Sequence, residues 1–430
     1  MKLQSINYIF ILMLLTLLSL FSCTKRKADI ITSNNLSQNS DQLISVIVQA
    51  ENFINASDEV QKVKNQLIST FGEESWVAYN VNIPVAGRYK IELHASADSE
   101  GITAWMEDYI DNKDERTYNI TGSIPISKSQ DFTISSKDGS PLNIGSHNMK
   151  LHIKGGTAKV DWFKLTLIKK HQITPELLTQ KTDGKEWKIA WSDEFDGVGL
   201  PDTTKWTYDI GNWGWGNNEL QYYTENRIEN ARQENGTLLI EARKNDLGNE
   251  WTSARLTTRG KVSFLYGRIE FRAKVPTKRG SWSAGWTLGD KYVDELSWPY
   301  CGEIDILESV GFETDDETGD GEVHASAHSG AFYFKKNNQP TGITDVKNMN
   351  NEFHTYAVDW TPEGMTATVD GKPYFNYKDT TTPLAWPFGE AQNIIINLAM
   401  GGGWGGQKGI DETMTSQKFI LDYVRVYEKR

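Results

Sequence analysis

The chain has 430 residues, too many for one ordinary sandwich and enough for two folded domains. Lys and Arg number 45 against 57 Asp and Glu, a net charge of -12, and no basic stripe is present that could displace counterions from phosphates. A nucleic-acid partner is thereby excluded, and a neutral or weakly charged polymer is easier to accommodate. Fifteen Trp, 17 Tyr and 16 Phe supply more flat aromatic surface than packing alone usually requires, and such faces suit the apolar faces of sugar rings. Cys23 and Cys301 are the only cysteines, so no disulfide framework supports the fold.

The opening MKLQSINYIFILMLLTLLSLFSC has one Lys and an apolar run from Tyr8 to Phe21. The run is shorter than the roughly 20 residues of a spanning helix and reads as a signal peptide over residues 1–22. The Leu20-Phe21-Ser22-Cys23 ending resembles a bacterial lipoprotein box, which implies cleavage before Cys23 and lipid on its sulfur. An uncleaved anchor or a plain secretory signal is the alternative. Thr24 after the cysteine fits outer-membrane sorting, and Lys25-Arg26-Lys27 leaves both the periplasmic and the cell-surface face open. Residues 23–43, polar and without periodicity, read as a flexible tether.

From residue 44 to 170 the signals are all β. RYKIELHAS alternates Tyr89, Ile91 and Leu93 against charges, and KVDWFKLTLI is a late strand, so a small sandwich is expected. This segment resembles carbohydrate-binding module family 6 through Gln49-Ala50-Glu51-Asn52, SWVAYNVNIPVAGRYKIEL and Asp161-Trp162-Phe163. The resemblance implies a structural calcium near Glu51 and Asp161. Trp105 and Tyr109 are candidates for sugar-binding loop aromatics, whereas Trp76 and Trp162 sit in strand patterns and are expected in the core. Residues 171–185 form a polar connection with a short turn of helix.

Residues 186–430 are β-rich again. GRIEFRAKV places Ile269, Phe271, Ala273 and Val275 on one face, and Asp370-Gly371 between TATV and KPYFNY is a hairpin turn. The expected architecture is two stacked antiparallel sheets, apolar between and curved enough to form a cleft.

GEIDILESVG carries three acids within a hydrophobic strand. Glu303 and Asp305 share a face, but Glu308 is five positions from Glu303 and out of phase on a flat strand. One extra residue in a β-bulge would restore the phase and put all three in the cleft, where two carboxyls about 5–5.5 Å apart would suit a retaining glycosidase. The chemistry then makes Glu303 the nucleophile, Glu308 the general acid and base, and Asp305 the group that positions and tunes Glu303. An exposed acidic edge strand is the alternative.

The same acids, with WSDEFDG, WGWGNNELQYYT, YGRIEFRAKVP, SWSAGWTLG, WPYCGEIDILE, VHASAH, FHTYAVDW, INLAMGGGWGG and DYVRVY in order, resemble glycoside hydrolase family 16, laminarinase-like branch. The match runs from Trp187 to Tyr427 and implies a curved β-jelly-roll and retaining hydrolysis by Glu303 and Glu308. The extra residue in the acid strand, absent from the lichenase-type branch, favours β-1,3-linked glucans. The resemblance also places His324 near the acids, Trp282 and Trp286 along the cleft, and Asn217, Glu219 and Arg255 near the glycone subsites. Glu194, the Gly236 carbonyl and Asp422 match a structural calcium site, and catalysis needs no cofactor. Ser283 and Gly285 stand where the family often has Pro and a larger residue, which bears on subsite shape.

Other signals carry less. His324 and His328, four apart on a strand, would be roughly 13 Å apart and could not share one zinc. Cys301 reads as a small buried residue. ETDDETGDGE, from Glu313 to Glu322, lacks the alternating ligands of a calcium loop and reads as solvated. MGGGWGG lacks the strand-to-helix context of a phosphate cradle and reads as a rim loop presenting Trp404. The expectation is a monomeric, lipid-anchored endo-β-1,3-glucanase with an accessory sandwich. A glycan-binding protein without activity, and the same chemistry on mixed-linkage glucan or a galactan, are the rivals.

Overall fold

Alternation of apolar and polar residues builds the first sandwich. Ser75–Ile83 buries Val77, Tyr79, Val81 and Ile83, and Gly87–Ala97 buries Tyr89, Ile91 and Leu93, because every second side chain meets the facing sheet. The structure is a computed structural model that describes residues 43–63, 66–69, 74–109, 117–172 and 175–430. The expected signal peptide, Cys23 and nearly all of the tether lie outside the described residues.

In the first sandwich one sheet runs Thr133–Leu142, Gly87–Ala97, Ala158–Lys170, Gln66–Ser69, Val60–Val63, with Ser45–Gln49 on the free side of Ala158–Lys170. The other runs Asn55–Ala56, Ser75–Ile83, Gly145–Lys154, Thr103–Tyr109, Thr117–Asn119. Trp76 and Trp162 are not core, contrary to the sequence expectation. Trp76 is one position out of phase with Val77 and Tyr79 and lies half-buried with the Lys150 ammonium 4.7 Å from its ring. Trp162 follows a register shift in its strand and stacks on His94 at 4.9 Å. Trp105 and Tyr109 belong to a strand, not a loop, and pack against His152 and Lys150.

The connection also differs from expectation. Glu176–Thr179 is a strand that pairs in parallel with Val262–Leu265, and Leu178 packs on the second core. An open sheet edge offers this backbone ready hydrogen-bond partners, which outweighs any helical tendency of so short a segment.

The second domain is a curved β-jelly-roll of two predominantly antiparallel sheets. The first runs Glu176–Thr179, Val262–Leu265, Gln392–Met400, Ser281–Gly289, Glu303–Val310, Gly321–His328, Thr341–Val346, with Arg255–Thr257 also pairing Gln392–Met400. The second runs Gln221–Tyr223, Asn249–Ser253, Thr237–Asp246, Ser416–Lys429, Gly267–Lys274, His354–Thr361, Gly364–Val369, Lys372–Tyr377. Ile269, Phe271, Ala273 and Val275 face inward as expected and meet Ile304, Ile306, Leu307, Ile394, Ile396 and Leu398. Asp370 and Gly371 have φ of 48° and 74°, the two positive values a tight two-residue hairpin requires.

Candidate active site

The acid strand carries one residue more than its neighbours. Asp305 stands opposite Ser326 and Glu308 opposite His324, so three steps on this strand match two on the next. On its other side Trp286 pairs with Asp305 while Gly285 pairs with Leu307. Ile306 and Leu307 are consecutive and both fully buried, which a regular strand with one wet face would not allow. The bulge expected from the out-of-phase acid is therefore present. Glu303, Asp305 and Glu308 all face one cleft of about 760 Å³.

Neighbouring elements fix the acids. Trp282 donates its indole N–H to Glu308 Oε1 at 3.0 Å, and Trp298 donates its own to Glu303 Oε2 at 3.0 Å. His328 Nε2 lies 3.3 Å from Asp305 Oδ2 and 3.8 Å from Glu303 Oε1. Burial pushes Glu303 up to about 8, with the Asp305 charge adding to the shift and His328 and Trp298 opposing it. Burial, with Asp305 beside it, lifts Glu308 well above the ordinary range, and Asp305 is lifted by the same desolvation. Three carboxyls this close share fewer than three negative charges near neutrality.

Trp282 and Trp286 lie on the cleft face of Ser281–Gly289, as do Ala284 and Leu288. Trp286 gives its N–H to Asn397 Oδ1 at 2.8 Å. Ser283 and Gly285 alternate onto the inner face, where a Cβ on Gly285 would meet the Phe271 ring at 3.2 Å. These two family departures thus concern packing between the sheets, and the expected effect on subsite shape does not follow.

Asn217, Glu219, Arg255 and Trp404 line the same cleft. Glu219 accepts from Gln221 Nε2 at 2.7 Å and from Asn217 Nδ2 at 3.3 Å, and burial raises it to about 7. The Arg255 guanidinium sits between the Trp215 and Trp286 rings at 4.8 and 4.7 Å and gives Nε–H to Asp209 at 3.1 Å. Gly402, at φ 77°, runs so close to the Asn217 carbonyl that a Cβ would stand 3.0 Å from it, which ties the glycine-rich loop to the Asn217 turn. That loop sets Trp404 5.3 Å from Trp282 and 4.9 Å from His324.

His324 and His328 separate as expected. His324 faces Glu308 in register but bonds Glu313 Oε2 at 2.8 Å, while His328 serves the other two acids. Cys301 is buried, which pushes its thiol well above the usual range and leaves it no thiolate character. In the acidic loop Asp316 pairs with Lys278 at 2.6 Å and Asp320 with Lys347 at 2.7 Å.

The two calcium expectations fare differently. Strand register brings Glu194, Gly236 and Asp422 near one another along Ser416–Lys429, an interior strand of the second sheet, since Asp193 pairs Val424 and Leu238 pairs Leu421. Both carboxylates are already neutralised, Glu194 by Arg425 at 3.0 and 2.7 Å and Asp422 by Arg272 at 2.5 Å. So arranged, the set does not fit a divalent cation. In the first sandwich the Ala50 N–H donates to the Asp161 carbonyl at 3.0 Å, and Glu51 Oε2 is buried with no hydrogen-bond partner. Glu51 therefore fits a cation ligand, while the Asp161 carboxylate is engaged with His94 at 2.9 Å.

Sequence reasoning missed Trp298, the role of His328, and Glu295 and Tyr118, which also line the cleft. Trp298 lies within the WPYCGEIDILE run and His328 within VHASAH, so both were visible as residues but not as partners of the acids. Tyr118 comes from the other sandwich, and no local pattern points to it.

The model for glycosyl hydrolases family 16 matches residues 217–424. A beta-glucanase from Rhodothermus marinus is 47% identical over 249 residues, which are 56% of this chain and 85% of that protein. A glucan endo-1,3-beta-glucosidase from Cryptopygus antarcticus is 35% identical over 259 residues, 56% of this chain and 91% of that protein. The solved laminarinase from Rhodothermus marinus superposes with a TM-score of 0.53 at 46% identity, covering 56% of this chain and 98% of its own.

Proposed function

Because the chain belongs to glycosyl hydrolases family 16 and is a glycoside hydrolase acting on β-glucan, we propose that it cuts internal β-1,3-glucosidic bonds with retention of configuration. The observation that carries this reading is the bulge, which turns Glu303, Asp305 and Glu308 into one cleft. In the first step Glu303 attacks the anomeric carbon while Glu308 gives its proton to the departing glycosidic oxygen. In the second, Glu308, now a carboxylate, takes a proton from water as that water displaces Glu303 from the sugar. The oxygen that leaves and the oxygen that arrives occupy the same face, so the β configuration is kept.

The electrostatics support the division of labour. Burial holds the proton on Glu308, as a general acid requires. Burial works against an ionised Glu303, and the opposing groups, His328 and the Trp298 N–H, sit at Glu303 and Asp305. The shared negative charge is thereby drawn to the nucleophile's side. Trp282, Trp286 and Trp404 offer ring faces to the glucan, and Asn217, Glu219 and Arg255 offer polar contacts in the same cleft. Calcium plays no part in these steps, and a cation held by Glu51 would be structural.

Sulfated galactans would call for a basic cleft. Among the described lining residues the cationic side chains are Arg255 and Lys335, against Glu219, Glu295 and the three central acids. Reducing-sugar release from laminarin, barley glucan and agarose tests the substrate class. Laminarin is expected to be cut fastest and agarose not at all, and agarose cleavage at the laminarin rate would overturn the reading. Anchoring through a lipid on Cys23 belongs to the same proposal. Cys23→Ser is expected to move the protein from the membrane to the soluble fraction, and unchanged membrane association would refute it.

A further inference from the structure

The two sandwiches share one hydrophobic cluster, in which Tyr118 and its neighbours pack with Leu288, Tyr292, Trp298, Cys301 and Tyr333. Polar contacts cross the same boundary. The Asn143 N–H donates to Asp294 Oδ2 at 3.2 Å, Lys169 Nζ to the Tyr208 carbonyl at 3.1 Å, the Tyr222 hydroxyl to Asp138 Oδ2 at 3.1 Å, and Arg88 to the Ile210 carbonyl. Arg88 is 8% exposed, a desolvation that a module swinging freely on a tether would not sustain. The connection that would permit such swinging is itself a strand of the catalytic sheet.

One of these contacts leads to the acids. Tyr118, 4% exposed, donates its hydroxyl to the Trp298 carbonyl at 3.1 Å, with Lys335 Nζ 3.9 Å from its ring centre. Trp298 in turn donates its indole N–H to Glu303 at 3.0 Å. A residue of the first sandwich thus holds the backbone of the residue whose side chain holds the nucleophile.

We propose that Tyr118 is a positioning residue for Glu303, which makes the first sandwich a fixed part of the catalytic centre. The proposal rests on the hydrolytic reading above for the role of Glu303. The groups facing that carboxyl are Asp305 and Glu308 on its own strand, His328 on the neighbouring strand, and Trp298 and Cys301 in the segment before it. A donor to the carboxylate favours its charged form, so a slackened Trp298 contact raises the pH at which Glu303 ionises and slows attack without removing a sugar contact.

The test uses the full chain with Tyr118→Phe, which keeps the ring and removes only the hydroxyl. Two quantities are read: the Glu303 titration midpoint by NMR of ¹³C-labelled glutamate, assigned through Glu303→Gln, and kcat and KM on laminarin. The midpoint is expected to rise by about half a unit or more, and kcat to fall about threefold to tenfold with KM within about twofold. Trp298→Phe is expected to move both further in the same direction, and the double variant to add nothing beyond it. Tyr222→Phe breaks another hydroxyl bond across the same boundary and is expected to move neither. An unmoved Glu303 midpoint in Tyr118→Phe, a loss confined to KM, or an equal effect of Tyr222→Phe would overturn the proposal. If the parent protein cleaves no glucan, the hydrolytic reading fails, and the titration still decides whether Tyr118 acts on Glu303.

Discussion

Trp282 donates its indole N–H to Glu308 at 3.0 Å from the strand beside it. The bond fixes the orientation of the acid while burial keeps its proton in place. Glu308→Gln is therefore expected to lose about 10²–10⁴-fold in kcat on laminarin. On a dinitrophenyl glucoside, whose leaving group needs no proton, the same variant is expected to release a near-normal burst of dinitrophenol and then stall. Glu303→Gln is expected to show no burst. A burst from Glu303→Gln in stopped-flow absorbance would reverse the two roles.

Stability carries the same signature with a definite sign. Burial lifts Glu303 from its ordinary 4.5 to about 8 in the folded protein, so the folded state holds a proton that the unfolded chain releases above 4.5. The stabilisation from that protonation is complete below pH 4.5 and is lost as pH rises toward 8. Glu303→Gln, which has no proton to release, is expected to match the parent in Tm near pH 4 and to exceed it by on the order of 10 °C near pH 8. A constant difference across that range, measured by calorimetry, would contradict the buried assignment.

Arg255 lies between two indole faces, Trp215 and Trp286, and bonds Asp209. A planar guanidinium fills that slot, and a tetrahedral ammonium does not. Arg255→Lys is expected to lower kcat/KM on laminarin by about tenfold, mainly through KM, because Trp286 loses its support on the cleft wall. A change below twofold in steady-state assays would refute this role.

The guanidinium groups of Arg425 and Arg272 neutralise Glu194 and Asp422. Adding a chelator is expected to leave the Tm of the catalytic domain's transition within about 1 °C, less than the shift that saturating a tight ligand site produces. A larger drop, restored by calcium, would show that the arginines yield to the metal.

What was legible in the sequence follows from the range of the forces involved. Strand alternation and the Asp370-Gly371 turn are local, and the bulge followed from the phase of Glu308 against Glu303 alone. Trp76 was misplaced because aromatic bulk suggests burial, although its neighbours Val77 and Tyr79 already claim the inward face. The strand at Glu176–Thr179 was missed because its stability comes from an edge far away in sequence. His328 and Trp298 were missed for the same reason, since which side chain reaches a carboxylate depends on registers and turns that no single segment encodes.

Proton NMR of the first product from laminarin addresses the bulge, the shared cleft and the two assigned roles together. The reading predicts the β anomer, appearing before mutarotation. An initial α anomer would mean single displacement by water and would contradict attack by Glu303.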